Sequence, residues 1–192
     1  MATKAPAKKA SPASSAKVPA KSAAAPRRPK DACDLLDADH KAVKALFKAY
    51  EALAQSRSRS PARKRELADQ ICRELTVHAT IEEEIFYPAA RKAIKDNALM
   101  NEATVEHATA KALIAQIQGM DAGDELFDAK VTVLGEYIDH HVKEERTEMF
   151  VKVRKTGLDL VALGQQLQFR KEALMAEQQP DTTPEPEVSD AF

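Results

Sequence analysis

An all-α fold, an up-down antiparallel four-helix bundle with a short C-terminal helix and disordered tails, is predicted by three features of the sequence. Apolar residues recur at three- and four-residue steps in four long stretches. Short polar or glycine-containing breaks separate those stretches, as antiparallel neighbours require. No segment alternates apolar and polar residues with period two, so no sheet is expected. Composition agrees: 44% of residues are hydrophobic and 31% charged, Gly is scarce and Trp absent. A chain rich in Ala, Leu, Glu and Lys favours helix.

The first helix begins near Asp31, with Asp31 or Asp34 as its cap. Leu35, Leu36, Val43, Leu46, Phe47, Tyr50 and Leu53 form its apolar stripe. The polar run from Gln55 to Ser60 ends it, and Ser60-Pro61 reads as an N-cap followed by proline at the first helical position. The second helix carries Leu67, Ile71, Leu75, His78, Ile81, Glu82, Ile85 and Phe86, and Pro88 near its end should kink or loosen it. A third runs from about Ala98 to Ile117 and is punctuated by Gly119 and Gly123. Asp124 is the expected cap of a fourth, which passes through Val131, Leu134, Ile138, His141, Glu145 and Met149 and stops near Gly157. A shorter helix runs from about Asp159 to Glu177.

Four units are therefore expected: a disordered basic Ala/Lys/Pro tail (1–30), the bundle (31–157), the C-terminal helix (158–178) and a disordered acidic tail (179–192). The overall charge of −1 conceals an asymmetry. Eight of the 29 basic residues and none of the acids fall in residues 1–30, so the rest carries 21 basic against 30 acidic residues. No aromatic side chains interleave with the lysines of the tail, and a nucleic-acid partner is not expected. No apolar run reaches membrane-spanning length, and no secretory signal core comes after the early lysines. Cys33 and Cys72 form no CxxC or zinc-finger spacing and read as two reduced thiols. A cytoplasmic location is the expectation.

The chemistry resides in the histidines. His78-Ala-Thr-Ile-Glu82 and His141-Val-Lys-Glu-Glu145 each place an imidazole and a carboxylate one turn apart on one helix face. Each such motif comes after a helix with a single histidine preceded by an acid, Asp39-His40 and Glu106-His107. The context downstream repeats as well: Phe86-Tyr87 and Met149-Phe150 lie eight and nine residues after His78 and His141. A lone core-facing histidine is usually an ordinary hydrogen-bonded residue. Here both motifs interrupt apolar stripes, and burying unpartnered carboxylates costs several kcal/mol. Four imidazoles and two carboxylates, repeated two-fold, are best explained by a pair of metal ions held by His40, His78, Glu82, His107, His141 and Glu145. Ligand type alone does not select the metal, but six convergent ligands in a bundle suit di-iron or di-manganese better than a single four-coordinate zinc.

These stretches, with His78-Ala-Thr-Ile-Glu-Glu-Glu-Ile-Phe-Tyr-Pro88 and His140-His141-Val-Lys-Glu-Glu145 at their centre, resemble the hemerythrin-like, or HHE cation-binding, family over residues 31–157. The resemblance implies two non-haem irons, oxo- or hydroxo-bridged, with manganese or zinc as alternatives. It also implies Glu82 and Glu145 as bridging carboxylates and His40, His78, His107 and His141 as terminal ligands. Oxygen-carrying members place a further histidine four residues after the one corresponding to His107, and this chain has Lys111 there. That departure speaks against simple oxygen carriage. The expected function is the binding or sensing of dioxygen or a related small molecule. A peroxide- or nitric-oxide-directed oxidoreductase and an iron storage or delivery protein are the alternatives. No catalytic residue is identified, and whether the chain is an enzyme stays open, leaning against. His140 is expected in a supporting or surface role, Tyr87 and Tyr137 in ordinary packing, and Glu83, Glu84 and Glu144 in solvent. Deleting residues 1–30 is expected to leave helicity and metal content unchanged, by circular dichroism and elemental analysis; loss of either makes the tail part of the fold.

Overall fold

The computed structural model describes residue 1, residues 30–56 and residues 60–178. The expectations for both tails therefore lie outside the described residues. Seven α-helices are found among the described residues: α1 (Ala32–Gln55), α2 (Pro61–Ile81), α3 (Tyr87–Ile94), α4 (Asn97–Gln118), α5 (Phe127–Glu144), α6 (Phe150–Val153) and α7 (Leu160–Glu177). A single π-helical segment, Glu82–Phe86, welds α2 to α3, and another, Glu145–Met149, welds α5 to α6. The four rods of the bundle are thus α1, α2–α3, α4 and α5–α6. α1 packs on α2 and α5, and α4 packs on the same two, which closes the ring.

Caps fix the rods' ends. Asp31 accepts from the Asp34 backbone N–H at 2.9 Å while Asp34 accepts from Asp31 N–H at 3.2 Å, a reciprocal capping box. Arg154 forks onto both carboxylates, tying the start of α1 to the end of α6. Ser60 caps α2 with Pro61 at the first position, as the sequence suggests. Lys95 takes the left-handed conformation (φ 54°) that ends α3, and Asp96 at once caps α4. The expected cap at Asp124 is not found. α5 starts at Phe127 without a side-chain cap, and Asp124 instead accepts from Asp121 N–H at 3.0 Å inside the preceding turn. The open carbonyls at the end of α4 are taken by Arg65, which donates to Ile117, Gln118 and Met120.

Pro88 does not break its helix. Its missing N–H falls at the start of α3, just after the π-helical turn has widened the ladder. The loosening expected around it therefore lies N-terminal to it, in Glu82–Phe86.

The core consists of two apolar clusters. One contains Leu36, Ile81, Phe86, Met100, Met149 and Phe150 together with Leu163 and Leu167 of α7. The other contains Val43, Tyr50, Ile71, Leu75, Ile114, Phe127 and Leu134. Each of the four rods runs from one cluster into the other, and the histidines lie at the changeover: Leu36–His40–Val43, Leu75–His78–Ile81, Ala103–His107–Ala110 and Leu134–His141–Met149. A buried polar layer is thereby sealed from both ends.

α7 lies across α1, α2 and the first π segment. It approaches the start of α1 so closely at Gly164 that a Cβ there would stand 2.9 Å from the Ala32 nitrogen and 3.0 Å from the Asp31 carbonyl carbon. Backbone cannot yield as a side chain can. Gly164→Ala is expected to destabilise the fold by up to about 2 kcal/mol, because overpacking costs roughly 1–3 kcal/mol and outweighs the roughly 1 kcal/mol helical preference for alanine. A lowered urea midpoint with unchanged helical signal is the expected observation; a raised midpoint would refute the close contact.

Candidate metal centre

The six side chains singled out in the sequence are brought to one place. His40, His78, His107 and His141 are each at most 6% exposed, and Glu82 and Glu145 at most 1%. His40 Nε2 and His78 Nε2 lie 2.9 Å apart. Glu82 Oε2 is 3.2 Å from His78 Nε2, and Glu145 Oε2 is 3.2 Å from His40 Nε2. On the other side His107 Nε2 and His141 Nε2 are 3.2 Å apart, with Glu82 Oε2 3.4 Å from the first and Glu145 Oε2 3.7 Å from the second. Two overlapping donor groups result: His40, His78, Glu82 and Glu145, then Glu82, His107 and His141.

The protons of these groups decide what the arrangement can hold. His107 Nδ1 is 3.0 Å from Glu83 Oε1, and His141 Nδ1 is 2.6 Å from Glu106 Oε2. Carboxylates only accept, so each Nδ1 carries the hydrogen and each Nε2 presents a lone pair. Those two lone pairs face one another at 3.2 Å. Both oxygens of Glu82 and one of Glu145 are buried with no hydrogen bond. So much unpartnered electron density in one dry layer is unfavourable without a cation. Donor separations near 3 Å are also those of neighbouring ligands around one ion, given bonds of about 2.1 Å at roughly right angles. The donor set therefore fits a bound metal cation.

Electrostatics point the same way. Burial pushes the His78 imidazole down to about 4, so it stays neutral. Burial likewise lowers His107, with His141 adding to the effect. Burial and the neighbouring Glu145 push Glu82 well above the usual carboxylate range. Glu145 is buried too, yet His141 and His40 hold it below that range. For His141 burial acts downward, but Glu145 and Glu106 outweigh it and the imidazole is raised. A divalent ion in the layer would favour the charged carboxylates and neutral imidazoles together.

The π-helical turns have a direct part in this. Each begins on a candidate ligand, Glu82 or Glu145, and each shifts the register of the later residues by one position. In an uninterrupted helix a residue five places after Glu82 points about 140° away from it. With one residue absorbed by the π turn, Tyr87 comes round to the face of Glu82, and Phe150 to that of Glu145. Ordinary packing, the expectation for Tyr87, is not its role. Its hydroxyl donates to Glu145 Oε1 at 2.9 Å and lies 2.9 Å from His107 Nε2 and 3.4 Å from His141 Nε2. Phe150, its counterpart in the repeat, stacks on His40 with centroids 6.0 Å apart. The two halves of the centre thus differ by one hydroxyl. Tyr137 is half-buried.

Glu83, expected in solvent, orients His107, and Lys111 holds its other oxygen. Glu84 pairs with Arg170 of α7, and Glu144 lies 3.4 Å from the exposed His140. Asp39 stands 3.7 Å from His78 Nδ1 and is held by Lys171. Of the acids Asp39 and Glu106, visible in the sequence only as neighbours of His40 and His107, Glu106 bonds a histidine on a different rod and Asp39 stands beside one without a hydrogen bond. Above the imidazoles a cavity offers about 20 Å³ to the centre of a water-sized sphere, walled by Val43, Leu75, Ala79, Ala110, Ile114, Ile138 and Val142 with Asp39 and Lys111 at its rim.

Fold and site together define a helical bundle built to hold cations. The hemerythrin HHE cation binding domain model matches residues 31–153, and the chain belongs to that family. The chain is also similar to a hemerythrin HHE cation binding domain-containing protein from Mycobacterium kansasii, whose crystal structure superposes with a TM-score of 0.64 at 20% identity, covering 77% of this chain and 89% of that one. A DNA nickase from Nostoc sp. is 29% identical over 121 residues. That stretch is 63% of this chain but 33% of the nickase, so the chain spans about a third of that relative.

Glu83→Ala is expected to leave helicity intact while weakening metal retention about 10–100-fold, the usual cost of losing a partner that orients a metal-binding histidine. Chelator competition measures it; unchanged retention would remove Glu83 from the centre.

Proposed function

We propose that this chain is a non-haem di-iron protein that binds or senses dioxygen or a related small molecule. The observation that carries the reading is the pairing of two overlapping donor groups, sharing Glu82, with a small apolar cavity beside the imidazoles. His40, His78, Glu82, His107, His141 and Glu145 would hold the ions. Bound iron would supply redox and Lewis-acid chemistry.

The chain's own residues do the rest. Glu83 and Glu106 keep the Nε2 lone pairs of His107 and His141 turned inward. Val43, Leu75, Ile114 and Ile138 keep bulk water from the cavity, whose size suits a molecule of two or three atoms. Lys111 is held on Glu83, and the Tyr87 hydroxyl lies between His107, His141 and Glu145. No helix among the described residues is long and apolar enough to cross a membrane. The free, buried Cys33 and Cys72 suit a reducing, cytoplasmic setting.

A second reading, an oxidoreductase acting on peroxide or nitric oxide, is favoured by Tyr87. Burial first, then Glu145 and Glu82, hold its phenol protonated. The hydroxyl therefore keeps a transferable proton inside the centre.

Chain expressed with iron is expected to contain about two irons and to show near-ultraviolet oxo-iron bands in air. His78→Ala or Glu82→Ala should lower iron content and melting temperature together; iron retained in both would remove those residues from the centre. A single zinc ion in its place would point to a mononuclear site. Tyr87→Phe separates the two readings. Unchanged iron and oxygen binding with lost peroxide or nitric oxide turnover supports the enzyme, and no turnover in either form supports the binding protein.

A further inference from the structure

The four imidazoles of the centre are not braced alike. Glu83 and Glu106 accept from Nδ1 of His107 and His141 at 3.0 and 2.6 Å. Nδ1 of His40 and Nδ1 of His78 are buried with no hydrogen-bond partner among the described residues. One pair of imidazoles is thus held from behind, and the other, 2.9 Å apart at Nε2, is not. For His78 an acceptor stands close by. Asp39 Oδ2, itself buried and without a hydrogen bond, is 3.7 Å from His78 Nδ1. With Nε2 turned to a cation, Nδ1 carries the hydrogen, so an unmet donor and an unmet acceptor stand just beyond bonding distance.

What keeps them apart comes from α7. Lys171 donates to the other oxygen of Asp39 at 2.5 Å. Glu83 is held by a lysine as well, Lys111, yet it reaches His107. The difference is one methylene: the glutamate spans both partners, and the shorter aspartate, drawn to Lys171, stops short of His78. Lys171 is 22% exposed and Asp39 12%, so water screens this pair far less than an ion pair on the open surface. Asp39 also lines both the inner cavity and an open groove between α1 and α7, which leaves its carboxylate room to turn.

We propose that Lys171 is a positioning residue: by steadying Asp39 on the outer side it withholds that carboxylate from His78, so the ion position at His40 and His78 is the more readily vacated of the two. The inference rests on the proposed reading of the centre as holding two ions. A carboxylate that accepts from Nδ1 makes the imidazole a stronger donor at Nε2 and fixes its orientation. His107 and His141 have that support, and His78 gains it only when Asp39 is freed from Lys171. α7 stays docked without this ion pair, because Leu163, Leu167 and Leu174 pack on the core and Arg170 holds Glu84. A helix beyond the family-matched residues thereby sets how firmly one half of the centre keeps its ion.

The test uses the full chain, loaded with Fe²⁺ and challenged without oxygen by an excess of a ferrous chelator, with release read from the colour of the chelate. Wild type is expected to give up one iron quickly and one about 10-fold or more slowly, the difference that a partner behind the imidazole makes. Lys171→Met is expected to slow the fast phase several-fold and leave the slow phase unchanged, and Lys171→Arg to restore the fast phase. Adding Asp39→Ala to Lys171→Met should abolish the slowing, since no carboxylate is left to turn to His78. Glu83→Ala should quicken the slow phase alone, which assigns that phase to the other half; a quickened fast phase overturns the assignment. Two irons released in one phase, or a fast phase that Lys171→Met leaves unchanged or quickens, overturns the inference and leaves the two-ion centre standing. A slowing that survives in the double variant overturns Asp39 as its cause. A chain that takes up fewer than two irons overturns the two-ion reading and this inference with it.

Discussion

Two pairs of imidazole nitrogens, 2.9 and 3.2 Å apart, face each other in the middle of a dry helical bundle. The rods, the apolar clusters and the carboxylates behind the rings are arranged around those contacts. Apolar clusters close the layer at both ends, and Glu83 and Glu106, which hold the outer ring nitrogens of His107 and His141, turn those two lone pairs inward. Without a cation the layer costs free energy, because buried acceptors have lost water and gained no donor. The fold therefore carries its function as a strain in hydrogen bonding and charge, which an ion would relieve.

The two-fold repeat of the sequence survives in the structure as paired rods and paired π-helical turns, and it is broken where the chemistry would be. Tyr87 and Phe150 occupy equivalent places, yet one brings a hydroxyl among His107, His141 and Glu145 while the other stacks on His40. Two similar pockets thereby acquire different surroundings.

α7 lies beyond the residues matched by the family model, and it is no mere appendage. Leu163 and Leu167 complete one apolar cluster, Lys171 neutralises the acid behind His78, and Arg170 holds Glu84. A helix outside the bundle thus steadies the half of the centre that Tyr87 does not reach.

The sequence by itself determined the helical class, most helix ends and all six inward-facing donors, because each depends on spacing along one helix. Ser60-Pro61 and Asp31 mark helix starts by local chemistry, and His-x-x-x-Glu lies on one face whatever surrounds it. Tertiary structure alone decided the second layer. Glu83 reaches His107 and Glu106 reaches His141 across rods, contacts for which the residues' own helices give no signal. Tyr87 escapes sequence reasoning for a different reason. A regular period of 3.6 residues points it away from the ligands, and only the extra residue absorbed by the π-helical turn brings it back. That turn departs from the regular ladder of the helix on either side, so no periodicity along a single helix encodes it.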